Sequence, residues 1–126
     1  MSDSRGLKRL GLWLPPVACM AIIFYFSSQT DPVPELTTRV WDKLLHVGAY
    51  AVLGALFCRA LVGEGIRTSA ALVLAVLLAS AYGAADEFHQ SFVPLRQPDF
   101  ADWVVDALGA SIGAIGHTLG PLLAGR

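Results

Sequence analysis

Asp42, His46 and Tyr50 fall at i, i+4 and i+8, so on a helix they share one face. Asp86 and Gln90 are also four apart, with Glu87 and His89 beside them, and Asp99, Asp102 and Asp106 follow at i, i+3 and i+7. An imidazole one turn from a carboxylate is a general acid or base that the carboxylate tunes, which makes His46 the first catalytic candidate, with Asp42 as its tuning partner. Asp86 and Glu87 join it as catalytic candidates. With Asp102 they form an oxygen-rich set of the kind that suits Mg²⁺ or Ca²⁺. Lys43 and Arg96 are suited to phosphate oxygens, and Gln90 and Tyr50 complete the candidate substrate-binding groups. Asp42, Asp102 and Asp106 are candidates for structural or metal-binding roles. His117, alone further along the chain, reads as a packing or hydrogen-bonding residue.

These residues need elements to hold them, and the chain offers mostly apolar ones. Of 126 residues 55% are hydrophobic and only 15% charged, well below the usual quarter of a soluble domain. The mean hydropathy is +0.57. A chain this short has little interior for so much apolar surface, so lipid is the solvent that fits it. Four runs reach the length of about 17–25 residues that a membrane helix needs: Leu10 to Ser27, Leu44 to Val62, Thr68 to Ala85, and Trp103 to Leu123. Pro15 and Pro16 lie inside the first, where a membrane helix tolerates them. The links hold Pro32 and Pro34, a tight turn at Gly63–Arg67, and Pro94 and Pro98. A cleaved signal peptide would need a small-residue cleavage site, which does not follow the first run. A soluble bundle would need a polar stripe on each helix, and Ala70 to Ala79 has none. The expectation is therefore a single all-α unit over residues 1–126, an integral membrane bundle of about four transmembrane helices.

Lys and Arg near membrane ends favour the cytoplasm. Arg5, Lys8 and Arg9 put the N-terminus inside, and four spans return the C-terminus to the same side. Arg5, Lys8, Arg9, Arg59, Arg67 and Arg126 then lie inside, and Arg39, Lys43 and Arg96 outside. Of the acids, only Asp3 and Glu64 are inside. The candidate residues thus collect at the outer ends of separate helices. Ionisable groups at membrane depth cost about 2.5–3.5 kcal/mol each at a helix centre, so Asp106 and His46 should face the bundle interior. Six carboxylates (Asp42, Asp86, Glu87, Asp99, Asp102, Asp106) stand against the cations Lys43 and Arg96. A divalent cation, a shared proton or outward-pointing side chains would each relieve that excess. Helix N-terminal acids also suit the macrodipole, and Asp42 suits an N-cap. Cys19 and Cys58 sit within spans as small apolar residues. Gly109–Gly113 and Gly116–Gly120 are both G-x-x-x-G, a spacing that lets helices approach closely. Packing within the chain is the first use expected of it, giving a monomer, and a homodimer is the second.

The run Asp42-Lys43-Leu44-Leu45-His46-Val47-Gly48-Ala49-Tyr50 resembles the D-K-x-x-H-x-x-x-Y motif of VanZ-like membrane proteins. Asp86-Glu87-Phe88-His89-Gln90-Ser91-Phe92-Val93-Pro94-Leu95-Arg96 is similar to their D-E-x-x-Q-x-F-x-P-x-R, and Asp102, Asp106 and Gly109 continue the pattern. The family often has Asn where this chain has Asp106, and His89 falls at a variable position. The resemblance covers about Ser27 to Gly113. It implies a bacterial cell-envelope protein of the cytoplasmic membrane. It also implies a possible link to glycopeptide resistance, since the founding member is associated with low-level teicoplanin resistance. The leading expectation is an outward-facing polar site that binds or modifies an envelope lipid or peptidoglycan precursor. The first alternative is a non-enzymatic protein with a structural polar cluster that limits glycopeptide access. The second is a small ion or proton translocator. The bilayer is the expected partner in every case, and nucleic acid in none.

Overall fold

The computed structural model describes residues 2–28, 39–93 and 100–123, and side chains within 4–28, 44–93 and 103–121. The described chain is all helix and turn: α1 (Ser2–Ser27), α2 (Arg39–Gly63), α3 (Thr68–Gln90) and α4 (Phe100–Leu123). The helices alternate in direction, so α1 and α3 finish at the end of the bundle where α2 and α4 begin. The candidate residues on α2, α3 and α4 therefore gather at that end.

The turn between α2 and α3 is set by one glycine. Gly65 takes φ +98°, which only glycine adopts at no steric cost. Its N–H bonds Val62 O, and the Ile66 N–H bonds Leu61 O, which together satisfy carbonyls that a helix end leaves open. Arg67 is then extended, and its carbonyl accepts from Ala71 N–H to open α3. In α1 the helix runs through Pro15 and Pro16. Pro15 has no N–H to offer the Gly11 carbonyl, and the Arg59 guanidinium from α2 donates to that carbonyl instead, at 3.2 Å.

The parallel pair α2 and α4 share the most extensive interface, and glycines make it. A Cβ on Gly109 would meet Val47 backbone atoms, one on Gly113 would run into Ala51 O, and one on Gly54 into Ala110 O. The expected use of Gly109–Gly113 within the chain is what the structure shows. Gly116 and Gly120 differ, since each faces open space. The buried face of α3 is a row of small residues, Ala71, Ala75, Ala79 and Gly83, that turns polar at Asp86 and Gln90. Leu53, Phe57, Cys58, Leu61, Ala110 and Ala114 complete the apolar core.

The outside of the bundle is apolar as well, with Leu14, Ile22, Val52, Val73, Leu77, Leu108 and Ile112 all exposed. Such a surface suits lipid, not water. Three helical stretches are long and apolar enough to cross a membrane: Ser4–Ser27, Leu44–Gly63 and Thr68–Gln90. The expected fourth span, α4, is 24 residues long but is not among them over its described residues. Asp106, His117 and the glycines at 109, 113, 116 and 120 take positions that larger apolar side chains would fill. Beyond the apolar run that ended at Ala85, α3 carries on as regular helix to Gln90 and brings Asp86, Glu87, His89 and Gln90 onto its own surface.

Candidate functional site

The site is built on the α2–α4 contact. Because Gly109 and Gly113 let α4 lie directly on Val47 and Ala51, the residues one turn nearer the helix starts are brought together. His46 donates through Nδ1 to Asp106 Oδ1 at 2.7 Å, the short distance typical of a charge-assisted bond. Asp106 is fully buried, whereas the His46 side chain keeps 14% of its surface exposed. The expected tuning carboxylate of His46 was Asp42. The bond found is to Asp106, and the Asp42 side chain lies outside the described residues.

Tyr50 stands one turn deeper on α2, 1% exposed, with its ring nearly parallel to His46 at a centroid distance of 6.4 Å. From α3, Gly83 lets the third helix close on this pair. A Cβ there would come within 3.1 Å of Asp106 Oδ2 and 3.5 Å of Tyr50 Cε1. Asp86, one turn further along α3, is buried, and Glu87 is half-buried beside it. Tyr82 also approaches Tyr50, at 6.4 Å between centroids.

The end of α1 closes on α3 through polar bonds. Gln90 Nε2 donates to Ser27 Oγ at 2.9 Å, and the Tyr82 hydroxyl donates to Met20 O at 2.6 Å. His89, which falls at a variable position of the motif, is part of this seam. Its ring stacks on Phe24 at 4.5 Å, and its Nε2 lies 3.0 Å from Ser28 Oγ. The Ser28 hydroxyl already donates to Phe24 O, so His89 Nε2 is the donor in that pair. On α4, the Trp103 indole donates to Ser80 O. His117, expected as a packing or hydrogen-bonding residue, is exposed on α4.

Of the candidate residues, the structure brings His46, Tyr50, Asp86 and Asp106 together, with Glu87 and Gln90 on the adjoining turn of α3. The side chains of Asp42, Lys43 and Asp102, and Arg96 entirely, lie outside the described residues. Sequence reasoning missed Gly83 and Tyr82. Their signal was present in the α3 pattern, where Gly83 continues the small-residue row directly into Asp86. Among the described residues no three His, Cys, Asp or Glu side chains group as metal ligands. The expected oxygen-rich set of Asp86, Glu87 and Asp102 includes a side chain, that of Asp102, outside the described residues. Both cysteines are free.

A family model described as VanZ/LLP1 matches residues 12–120. The chain belongs to the VanZ/LLP1 family. The match takes in all four helices and every described residue of the polar site, and it agrees with the motif resemblance in α2 and α3. No curated protein and no solved structure matches the chain.

Proposed function

We propose that this VanZ-family protein is a multi-pass protein of the bacterial cytoplasmic membrane that binds the polar head group of a cell-envelope lipid or lipid-linked precursor at its outward end. His46 is the proton-transferring group. The observation that carries this reading is the asymmetry of the His46–Asp106 pair. The acid is fully buried, and the imidazole that it orients is the member that reaches the surface. A buried carboxylate that fixes an accessible imidazole is an arrangement for general acid–base work.

The α4 surface supports a fourth span, because Leu108, Ile112, Ile115 and Leu119 form an exposed apolar stripe on it. The exposed cations Arg5, Lys8, Arg9, Arg59 and Arg67 all lie at the opposite end of the bundle, which favours the cytoplasm for that end. Both termini are then cytoplasmic and the site faces outward. In this reading Lys43 and Arg96 bind head-group phosphate, Gln90 and Tyr50 line the site, and Asp86 and Glu87 take part in proton transfer. Asp42 and Asp102 complete its acidic rim. The core below Tyr50 turns apolar through Leu53, Phe57 and Leu61, which favours a one-ended site over a translocation path. The link to glycopeptide resistance follows as a consequence of occupying or altering such a precursor.

The test is binding of a polyprenyl-linked pyrophosphate precursor to the protein in nanodiscs, read by native mass spectrometry. His46→Ala and Gln90→Ala should each weaken retention about tenfold, equivalent to ~1.4 kcal/mol, and Gly120→Ala should not. Undiminished retention in both site variants would sink the reading. One observation favours a second, non-enzymatic reading: Tyr50, Asp86, Gln90 and Asp106 are all buried, as members of a structural network would be. Under it, His46→Ala lowers stability and leaves retention unchanged.

A further inference from the structure

The Tyr50 hydroxyl is sealed inside the bundle and reaches no hydrogen-bonding atom among the described residues. Such a group forgoes the bond that it would make in water, and phenylalanine would fill the same space without that cost. The ring is held on several sides: by His46 in parallel, by Tyr82 at 37°, and by Gly83, at whose Cβ position the ring edge and the Asp106 carboxylate meet. A carboxylate has about four lone-pair sites, so the bond from His46 leaves Asp106 able to accept more. A buried water needs two to four polar partners, and the Tyr50 hydroxyl and the Asp106 carboxylate are two such groups, carried by side chains that both reach the Gly83 Cβ position.

We propose that the Tyr50 hydroxyl and Asp106 share a buried water, so that His46, Asp106, the water and Tyr50 form one hydrogen-bonded chain through α2 and α4. The chain carries the surface-exposed imidazole's hydrogen bonding about one helical turn, roughly 6 Å, down into the bundle. It couples the protonation state of His46 to the buried Tyr50 hydroxyl through hydrogen bonds, with no proton passing beyond the Asp106 carboxylate. This inference deepens the head-group reading but needs no lipid ligand, so it is tested on the lipid-free protein, and failure of head-group binding leaves it standing.

The experiment compares Tyr50→Phe with the parent in detergent, by thermal unfolding and by the ¹⁵N signals of the His46 ring across a pH series. With a shared water, Tyr50→Phe lowers Tm by about 3 °C, within the range that loss of a single hydrogen bond produces in a chain of this size. It also moves the His46 titration midpoint. Tyr82→Phe is the control: it loses the bond to Met20 O and lowers Tm but leaves the His46 midpoint in place. An unchanged or raised Tm in Tyr50→Phe overturns the proposal and shows a dry hydroxyl. A lowered Tm with an unmoved His46 midpoint also overturns it, because the hydroxyl is then not joined to Asp106. A Tm loss seen only in lipid nanodiscs replaces the water with a lipid oxygen.

Discussion

At one end of the bundle Asp106 is fully buried and bonded to His46 at 2.7 Å. At the other, Glu64 is exposed and accepts from Arg9 Nε at 3.0 Å and from the Trp13 indole at 2.9 Å. Both are cross-helix carboxylate contacts, but their surroundings differ. The first sits where Gly109 and Gly113 press α4 onto α2. The second sits at the end towards which Gly116 and Gly120 lie, facing open space. Close helix approach and burial of charge go together here, because only a Cβ-free contact lets two backbones seal a side-chain pair between them. A buried pair of this kind is weak support for stability, and its retention in a membrane helix is the reason to assign it a function. The exposed pair is screened by solvent and adds little stability, and it serves to pin α1 to the α2–α3 turn.

The sharpest way to break the contrast is to remove the close approach. Gly113→Leu places a side chain where α2 backbone stands, and relief requires the helices to part. Overpacking usually costs about 1–3 kcal/mol, and a backbone clash belongs at or above the top of that range. Thermal unfolding in detergent should show the loss, and near-parent stability would mean that α2 and α4 do not meet along this face.

Removing the buried acid comes next. Asp106→Ala removes the carboxylate that accepts from His46 Nδ1. The full cost of breaking a buried pair is about 3–5 kcal/mol. Because His46 is 14% exposed and can shed its charge, the loss should be smaller, about 2–3 kcal/mol. Asp106→Asn keeps an oxygen acceptor for the imidazole and should cost less than the alanine change. Equal losses would show that charge, and not the hydrogen bond, holds the pair.

These two variants also mark how far the sequence could be read. Three of the four expected spans were legible because apolar run length is a property of one segment. The α2–α4 contact was partly legible, because G-x-x-x-G announces close approach but does not name the neighbour. Only Gly109–Gly113 found one, and Gly116–Gly120 carries the same motif with nothing against it. The His46–Asp106 bond was not legible. Spacing along a helix gave His46 a partner on its own face, Asp42. The bond observed joins residues 60 apart and depends on the register of two parallel helices, which the Gly109–Val47 and Gly113–Ala51 contacts set. Gly83 was missed for a related reason: its role lies in what it does not place between α3 and Asp106.

Gly120→Ala probes the open end of the comparison. With no neighbour within 4 Å, the added methyl meets nothing, and the helix gains what alanine offers over glycine, about 0.5–1 kcal/mol. A raised Tm in detergent is the expected result. A clear loss of stability, or loss of a dimer on size exclusion, would show that this face is covered in solution by a second copy.

The smallest effect belongs to Glu64, and it carries a sign. The Trp13 indole bond first, and then the Arg9 bond and charge, hold the Glu64 carboxyl below its usual range. A group whose pKa is depressed on folding favours the folded state above its unfolded pKa, and that contribution disappears as pH falls through the folded value. Unfolding followed from neutral to acid should therefore show a small loss of stability as pH falls through and below the ordinary glutamate range. Glu64→Gln should be slightly less stable than the parent near neutrality and level with it once the parent's Glu64 is protonated. High salt should shrink the difference at neutral pH, because the pair is exposed. A difference between parent and Glu64→Gln that persists unchanged into acid would show that it does not come from the carboxylate charge, since protonated glutamate and glutamine both offer Trp13 an acceptor and Arg9 no charge.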